Sequence, residues 1–241
     1  MHDDVFDEFY SEGYITDVIR PVKSGKEAAV YLCRANESIT GRSLLAAKVY
    51  RDPGRRDFRN DAVYKDGRVI TKGRERRAMQ KKTRFGREID HGWWHGREWE
   101  ALETLHGAGA AVPRPFARAG AGILMDYVGD EEAAAPQLRQ VSLDREEAQE
   151  LFDRLIGEVE LWLTRNVVHA DLSAFNVLYW EGEVTTIDFP QFVDPRTNRN
   201  AYDLLTRDVE NLGGYFERFG VRTNARNVAA DLWTRFIFAE L

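Results

Sequence analysis

A chain of 241 residues, 43% hydrophobic and 31% charged, is long enough to bury a substantial core in one large domain or two lobes. No apolar stretch approaches the roughly 18 residues that cross a bilayer, and the acidic start MHDDVFDEFY lacks the basic and apolar regions of a secretory signal, so neither a membrane partner nor export is expected. The single cysteine, Cys33, cannot form an intrachain disulfide and fits a reducing cytoplasm, where it reads as a small buried apolar residue.

Taken in chain order, residues 3–19 read as a short amphipathic helix carrying Val5, Phe6, Phe9 and Tyr10. KSGKEAAVYLC then leads from small and charged residues into a strand, and SLLAAKVY (43–50) reads as a second strand. Residues 51–87 hold fourteen Lys/Arg against five Asp/Glu, a balance of +9 that leaves −15 for the rest of a chain of net charge −6. Such a concentrated basic segment suggests an anionic partner. A helix starts near Gly86 and stops at Gly107 and Gly109, and GILMDYV (122–128) is another strand. GDEEAAAP reads as a linker. Residues 144–165 make the clearest helix, with Asp144 as N-cap and Ala148, Leu151, Phe152, Leu155, Val159 and Trp162 at helical spacing. A hairpin turns at Gly182, and 202–240 reads as two helices separated near Gly220. Strands precede helices, so the expected class is α+β: a small β-rich lobe over residues 1–125, with 51–87 as a flexible insertion, and a helical lobe over 126–241.

The chemistry concentrates in VVHADLSAFNVLYWEGEVTTIDFPQ. Asp171 and Asn176, five apart on an irregular loop, can point into one cavity that Asp188, at a strand end, also faces. Hard oxygen ligands of this kind suit Mg²⁺, which takes one or two carboxylates and completes its shell with water and phosphate oxygens. Asn176 and Asp188 are the expected metal ligands, leaving Asp171 to accept a proton from an attacking hydroxyl. That is the phosphoryl-transfer template H-R-D-x-x-x-x-N followed by a metal-binding Asp. His169 is expected to shape the loop. Lys48, flanked by apolar residues in a strand, needs a partner. Glu98 is the best candidate, with Glu88, Glu100 and Glu103 as competitors. Ser24, Gly25 and Lys26 form a turn whose backbone N–H groups can meet an anion, although it matches neither a Walker A loop nor G-x-G-x-x-G.

Together, GKEAAVY, AAKVY, HADLSAFNVL and IDFPQ resemble the RIO atypical protein kinases, in the family's order from about Lys23 to Val193. YVGDEEAAAPQL looks like that family's hinge and the turn that follows it. The resemblance implies a reduced, bilobed protein-kinase-like fold, ATP with Mg²⁺ (Mn²⁺ as the alternative metal), and protein serine/threonine kinase activity with autophosphorylation. By position, Asp171 resembles the catalytic Asp and Lys48 the ATP-orienting Lys. Asp188 resembles a metal-binding Asp that can itself be phosphorylated, and Asn176 a second metal ligand. The backbones of Asp126 and Val128 resemble the adenine-contacting hinge, with Met125 lining the pocket before it. The family's winged-helix domain is not expected before the Gly25 turn, and the metal motif is D-F-P, where Pro190 fixes φ and removes an N–H. His95 and Gly96 stand where the family has better helix formers.

The resemblance also implies a link to ribosome biogenesis, and segment 51–87 stands where the family carries a flexible loop near the active site, open to gripping ribosomal RNA or a ribosomal particle or to folding over ATP. Beside the serine kinase stand two other readings: an ATPase switch on a ribosomal particle through phospho-Asp188, and a small-molecule kinase of the aminoglycoside type. The latter enzymes carry a second His where this chain has Ser173.

Overall fold

A computed structural model of the chain describes residues 3–51 and 84–241. The described residues form two compact units, one from 3–51, 84–103 and 113–134, the other from 104–112 and 135–241. Residues 52–83, which hold most of the basic segment expected over 51–87, lie outside the described residues. The first unit ends at residue 134, inside the GDEEAAAP stretch, and that stretch is tied back to the first two strands. Arg20 Nη2 donates to the carbonyls of Glu131 and Glu132 at 3.2 and 3.3 Å, and Arg34 Nη1 meets the Glu131 carboxylate at 2.8 Å. Asp130 Oδ1 accepts from the N–H groups of Glu132 and Ala133 at 2.9 and 2.7 Å, closing a turn.

The first unit opens with α1 (Asp3–Ser11). The helix expected over 3–19 stops early, because Gly13 takes a left-handed φ of 77° and the β-branched Ile15, Thr16, Val18 and Ile19 that follow favour a strand. That strand is β1 (Ile15–Ser24), followed by β2 (Ala28–Ala35), the short α2 (Glu37–Thr40) and β3 (Leu44–Tyr50). A long helix, α3 (Arg84–Gly107), leads to β4 (Pro115–Ala119) and β5 (Gly122–Asp126). The five strands form one antiparallel sheet in the order β1-β2-β3-β5-β4.

Side chains alternate across a strand, and β3 uses both of its faces. Leu45, Ala47 and Val49 join Val5 and Phe9 of α1, with Cys33 and Leu124, in one buried cluster. Ala46, Lys48 and Tyr50 share the opposite parity. Burial pushes the Cys33 thiol up to about 12. Gly122 lies so close under α1 that a Cβ there would collide with Val5 Cγ1.

In the second unit a one-turn 3₁₀ helix (Leu138–Gln140) precedes α4 (Arg145–Thr164), which Asp144 caps by accepting from the Glu147 N–H at 2.9 Å. The hairpin β6 (Val177–Trp180) and β7 (Glu183–Thr186) turns at Gly182, where φ is 83°. Then come α5 (Ala201–Glu217) and α6 (Ala225–Ile237). The apolar stripe of α4 is buried at Ala148, Leu151, Phe152, Leu155, Val159 and Trp162, and Phe152 meets Phe216 of α5 edge-on at 5.6 Å between ring centroids. Arg235 of α6 clamps Glu160 of α4 through two nitrogens at 2.8 and 3.0 Å.

Phe9 is fully buried beneath the sheet. Phe9→Ala is therefore expected to destabilise the first unit by about 3–5 kcal/mol, seen as a lower urea midpoint for the transition that reports this unit.

Candidate active site

In the first unit, one face of β3 and one turn of α3 place a cation. Lys48 and Tyr50, two residues apart, project to the same side. Lys48 Nζ meets Glu98 Oε1 at 2.7 Å, with the two side chains 13% and 2% exposed. The Tyr50 hydroxyl donates to Glu98 Oε2, and Lys48 Nζ also lies 5.2 Å from the centroid of the Tyr50 ring. Glu98 thus serves two partners. Of its competitors, Glu100 and Glu103 are exposed, and the Glu88 side chain lies outside the described residues. The helix runs unbroken through His95 and Gly96.

Ser24, Gly25 and Lys26 are exposed at the β1–β2 turn, where Gly25 N–H donates to Ala28 O at 2.9 Å and Arg51 donates to Ser24 Oγ. On β5, Met125 is buried and Asp126 is half-buried, its carboxylate held by Arg42 Nε at 2.8 Å and by the Arg114 N–H at 3.2 Å. Beyond the strand, Val128 is half-buried.

The second unit holds Asp171, Asn176 and Asp188 on two loops that are stitched together. Asn176 Nδ2 donates to the Asp171 carbonyl at 2.9 Å and reaches its carboxylate at 3.4 Å, closing the loop 171–176. Ile187 N–H donates to Asn176 O at 2.8 Å, which brings Asp188 alongside. His169 shapes this site as expected. Its Nδ1 accepts from the Asp171 N–H at 3.3 Å, so the ring proton lies on Nε2, which donates to Ile187 O at 3.2 Å. Phe189 of the D-F-P motif packs on the His169 ring at 4.5 Å and on Trp162 at 5.5 Å.

Burial raises the Asp171 carboxyl above its usual range even though solvent reaches it, and the neighbouring Asp188 charge raises it further. The Arg207 guanidinium and the Asn176 amide pull it back down. Two carboxylates that repel each other at a loop call for a cation. Among the described residues no cluster of three or more His, Cys, Asp and Glu side chains is arranged to hold one. A pair of hard oxygens nevertheless suits Mg²⁺, which keeps most of its shell as water and phosphate. Because the Asn176 amide nitrogen is committed to Asp171, its Oδ1 is the atom left for a metal. Asn176 and Asp188 therefore fit the ion.

Sequence reasoning missed what holds this loop. Asp208 of α5, 1% exposed, accepts from the N–H groups of Ala170 and Leu172 at 2.7 and 2.9 Å. Arg207 donates to Ala170 O, and Asn211 Nδ2 donates to Leu172 O at 3.0 Å. Between these anchors Ala170 adopts a φ of 69°, a conformation that costs a non-glycine residue about 1–2 kcal/mol. The available signal was a carboxylate on the apolar stripe Leu204, Leu205, Asp208, Val209, Leu212.

Removing Glu98 leaves the Lys48 ammonium and the Tyr50 hydroxyl without their shared partner. Glu98→Ala is expected to cost about 3–5 kcal/mol, against about 1 kcal/mol for Tyr50→Phe, both by chemical denaturation. Burial pushes Asp208 from 3.8 up to about 7, against the pull of its two N–H donors and Arg207. Its folded-state value is raised, so the native state binds the extra proton. Stability from this group is full below about pH 4 and is lost as pH rises through about 7. Asp208→Asn should flatten that slope in denaturation curves taken across the range.

A family model for the RIO domain matches residues 29–228. A probable serine/threonine-protein kinase RIO1 homolog of Encephalitozoon cuniculi is 29% identical over 228 residues, covering 90% of this chain and 58% of that protein. Human serine/threonine-protein kinase RIO1 is 27% identical over 216 residues, covering 88% of this chain and 35% of its own length. Each alignment thus takes in less than two thirds of the relative. The RIO-type serine/threonine-protein kinase Rio1 of Thermoplasma acidophilum is 30% identical over 131 residues, 54% of this chain and 67% of that one. Among solved structures, the Rio2 kinase–ADP/Mg²⁺–phosphoaspartate complex from Chaetomium thermophilum superposes with a TM-score of 0.66 at 20% identity, covering 94% of this chain and 64% of its own. That likeness fixes the fold as the kinase-like α+β class. With the RIO-domain model spanning residues 29–228, the chain belongs to the RIO domain family.

Proposed function

We propose that this chain is an ATP- and Mg²⁺-dependent protein serine/threonine kinase of the RIO type, which moves the γ-phosphoryl group of ATP to a serine hydroxyl and phosphorylates itself. The observation that carries the reading is the stitched pair of loops holding Asp171, Asn176 and Asp188. A bound Mg²⁺ ion supplies positive charge to the nucleotide phosphates. Asn176 Oδ1 and the Asp188 carboxylate hold the ion. Asp171 accepts the proton of the attacking hydroxyl, and its raised affinity for protons suits that task. Lys48, fixed by Glu98 and Tyr50, orients the phosphates, with the Ser24–Gly25–Lys26 turn as a further anion contact. The backbones of Asp126 and Val128, with Met125 before them, receive the adenine.

The relatives' names support the kinase over a small-molecule phosphotransferase. The Rio2 complex from Chaetomium thermophilum contains a phosphoaspartate. In this chain Asp188 is the corresponding acceptor to test, and a ribosomal particle binding through 51–87 remains the proposed partner for that route.

The experiment is incubation of the protein with γ-labelled ATP and Mg²⁺, followed by mapping of the label. Wild-type protein should carry acid-stable phosphoserine. Asp171→Asn should lower transfer by roughly 10²–10⁴-fold while nucleotide binding, measured by calorimetry, persists. Label confined to a hydroxylamine-sensitive acyl phosphate at Asp188 would replace the kinase reading with the ATPase switch.

A further inference from the structure

Phe175 is the anomaly of the second unit. It lies between the proposed base, Asp171, and the proposed metal ligand, Asn176, yet its side chain is 56% exposed. Exposing an aromatic ring forgoes burial worth about 1.5–3 kcal/mol. The residue that carries the ring is held through its backbone. Its backbone N–H donates to Ser173 Oγ at 3.3 Å, and its carbonyl accepts from Gln137 Nε2 at 2.6 Å. The 3₁₀ turn beside it is fastened to the same loop, since Arg139 N–H donates to Ala174 O at 3.1 Å.

Arg139 completes the feature. Its guanidinium lies 4.5 Å from the centroid of the Phe175 ring, and its Nε donates to Gln137 Oε1 at 2.9 Å. Both contacts fix the plane of the fork. The two terminal nitrogens have no hydrogen bond or ion pair among the described residues, and the side chain is exposed. Arg154, Arg196 and Arg226, exposed on the same unit, answer Glu183, Asp194 and Glu210 instead. A guanidinium that is oriented but unanswered matches the geometry of an incoming carboxylate.

We infer that Phe175 and Arg139 form an acceptor-side specificity platform that selects serine peptides with an acidic residue near the phosphorylated position. The inference rests on the kinase reading above. Phe175 follows Asp171 by four residues, which span at most about 13–14 Å, so a peptide whose serine meets Asp171 can reach Phe175 with a side chain about four residues away. The Phe175 ring carries the stem of the acidic side chain, and Arg139 takes its carboxylate.

The test is a set of otherwise neutral serine peptides in which glutamate is walked through the four positions on each side of the serine. Glutamate at one or two neighbouring positions should raise kcat/KM roughly two- to fivefold, mainly through KM. Arg139→Gln should bring that ratio to about one, and Arg139→Glu should transfer the preference to lysine at the same position. Phe175→Leu should raise KM for the acidic peptides more than for the neutral ones. Equal melting temperatures for the four proteins establish that the variants are folded. If wild-type protein phosphorylates itself and the peptides without a charge preference, or if Arg139→Gln keeps the preference, the platform is wrong and the kinase reading stands. If no serine in any peptide or in the protein itself is labelled, both fail.

Discussion

One buried carboxylate holds the active loop in shape. Asp208, on a helix that follows the loop in sequence, takes the peptide N–H groups on either side of Asp171. The loop cannot satisfy those donors within itself, because Ala170 is in a left-handed conformation that breaks any local ladder. Ala170 would relax without the bond, and Asp171, the next residue, would turn with it. Every later feature of the site follows from that placement: the Asn176 amide closing on the Asp171 carbonyl, the Ile187 N–H on Asn176, and Asp188 beside them. Burying a carboxylate carries a desolvation cost, and here the cost buys a fixed backbone.

A second constraint, of strand parity, governs the first unit. β3 must cover α1 on one side and receive α3 on the other, so its residues cannot exchange faces. Lys48 and Tyr50 share the α3 side because they are two apart, and Glu98 has two carboxylate oxygens with which to answer them. A shift of one residue in the β2–β3 or β3–β5 register would exchange Lys48 for Val49 and bury the ammonium against the apolar cluster under α1.

Much of the site was legible because its chemistry uses fixed spacings. The run from Asp171 to Asn176 and the strand-terminal Asp188 declare themselves by position, and Lys48 does so as a charge in an apolar strand. Glu98 was harder, since four glutamates on one helix compete and only burial separates it from Glu100 and Glu103. β1 was hidden because α1 and β1 are both amphipathic, and a run of β-branched residues marks the change more weakly than Gly13 does. β4 was missed because it begins at Pro115 and spans five residues, a short edge strand. Asp208 had a signal, a carboxylate on a helix's apolar stripe, but its partners are peptide groups more than thirty positions away, and backbone donors leave no mark in a sequence.

Cys33 is the chain's one thiol, and it sits at zero exposure under the first sheet with its proton tightly held. Alkylating and maleimide reagents attack thiolates that solvent can reach. The unaltered polypeptide is therefore silent to such reagents while folded, so a cysteine engineered anywhere on the exterior would carry a fluorophore or spin label alone, with no background to strip out first.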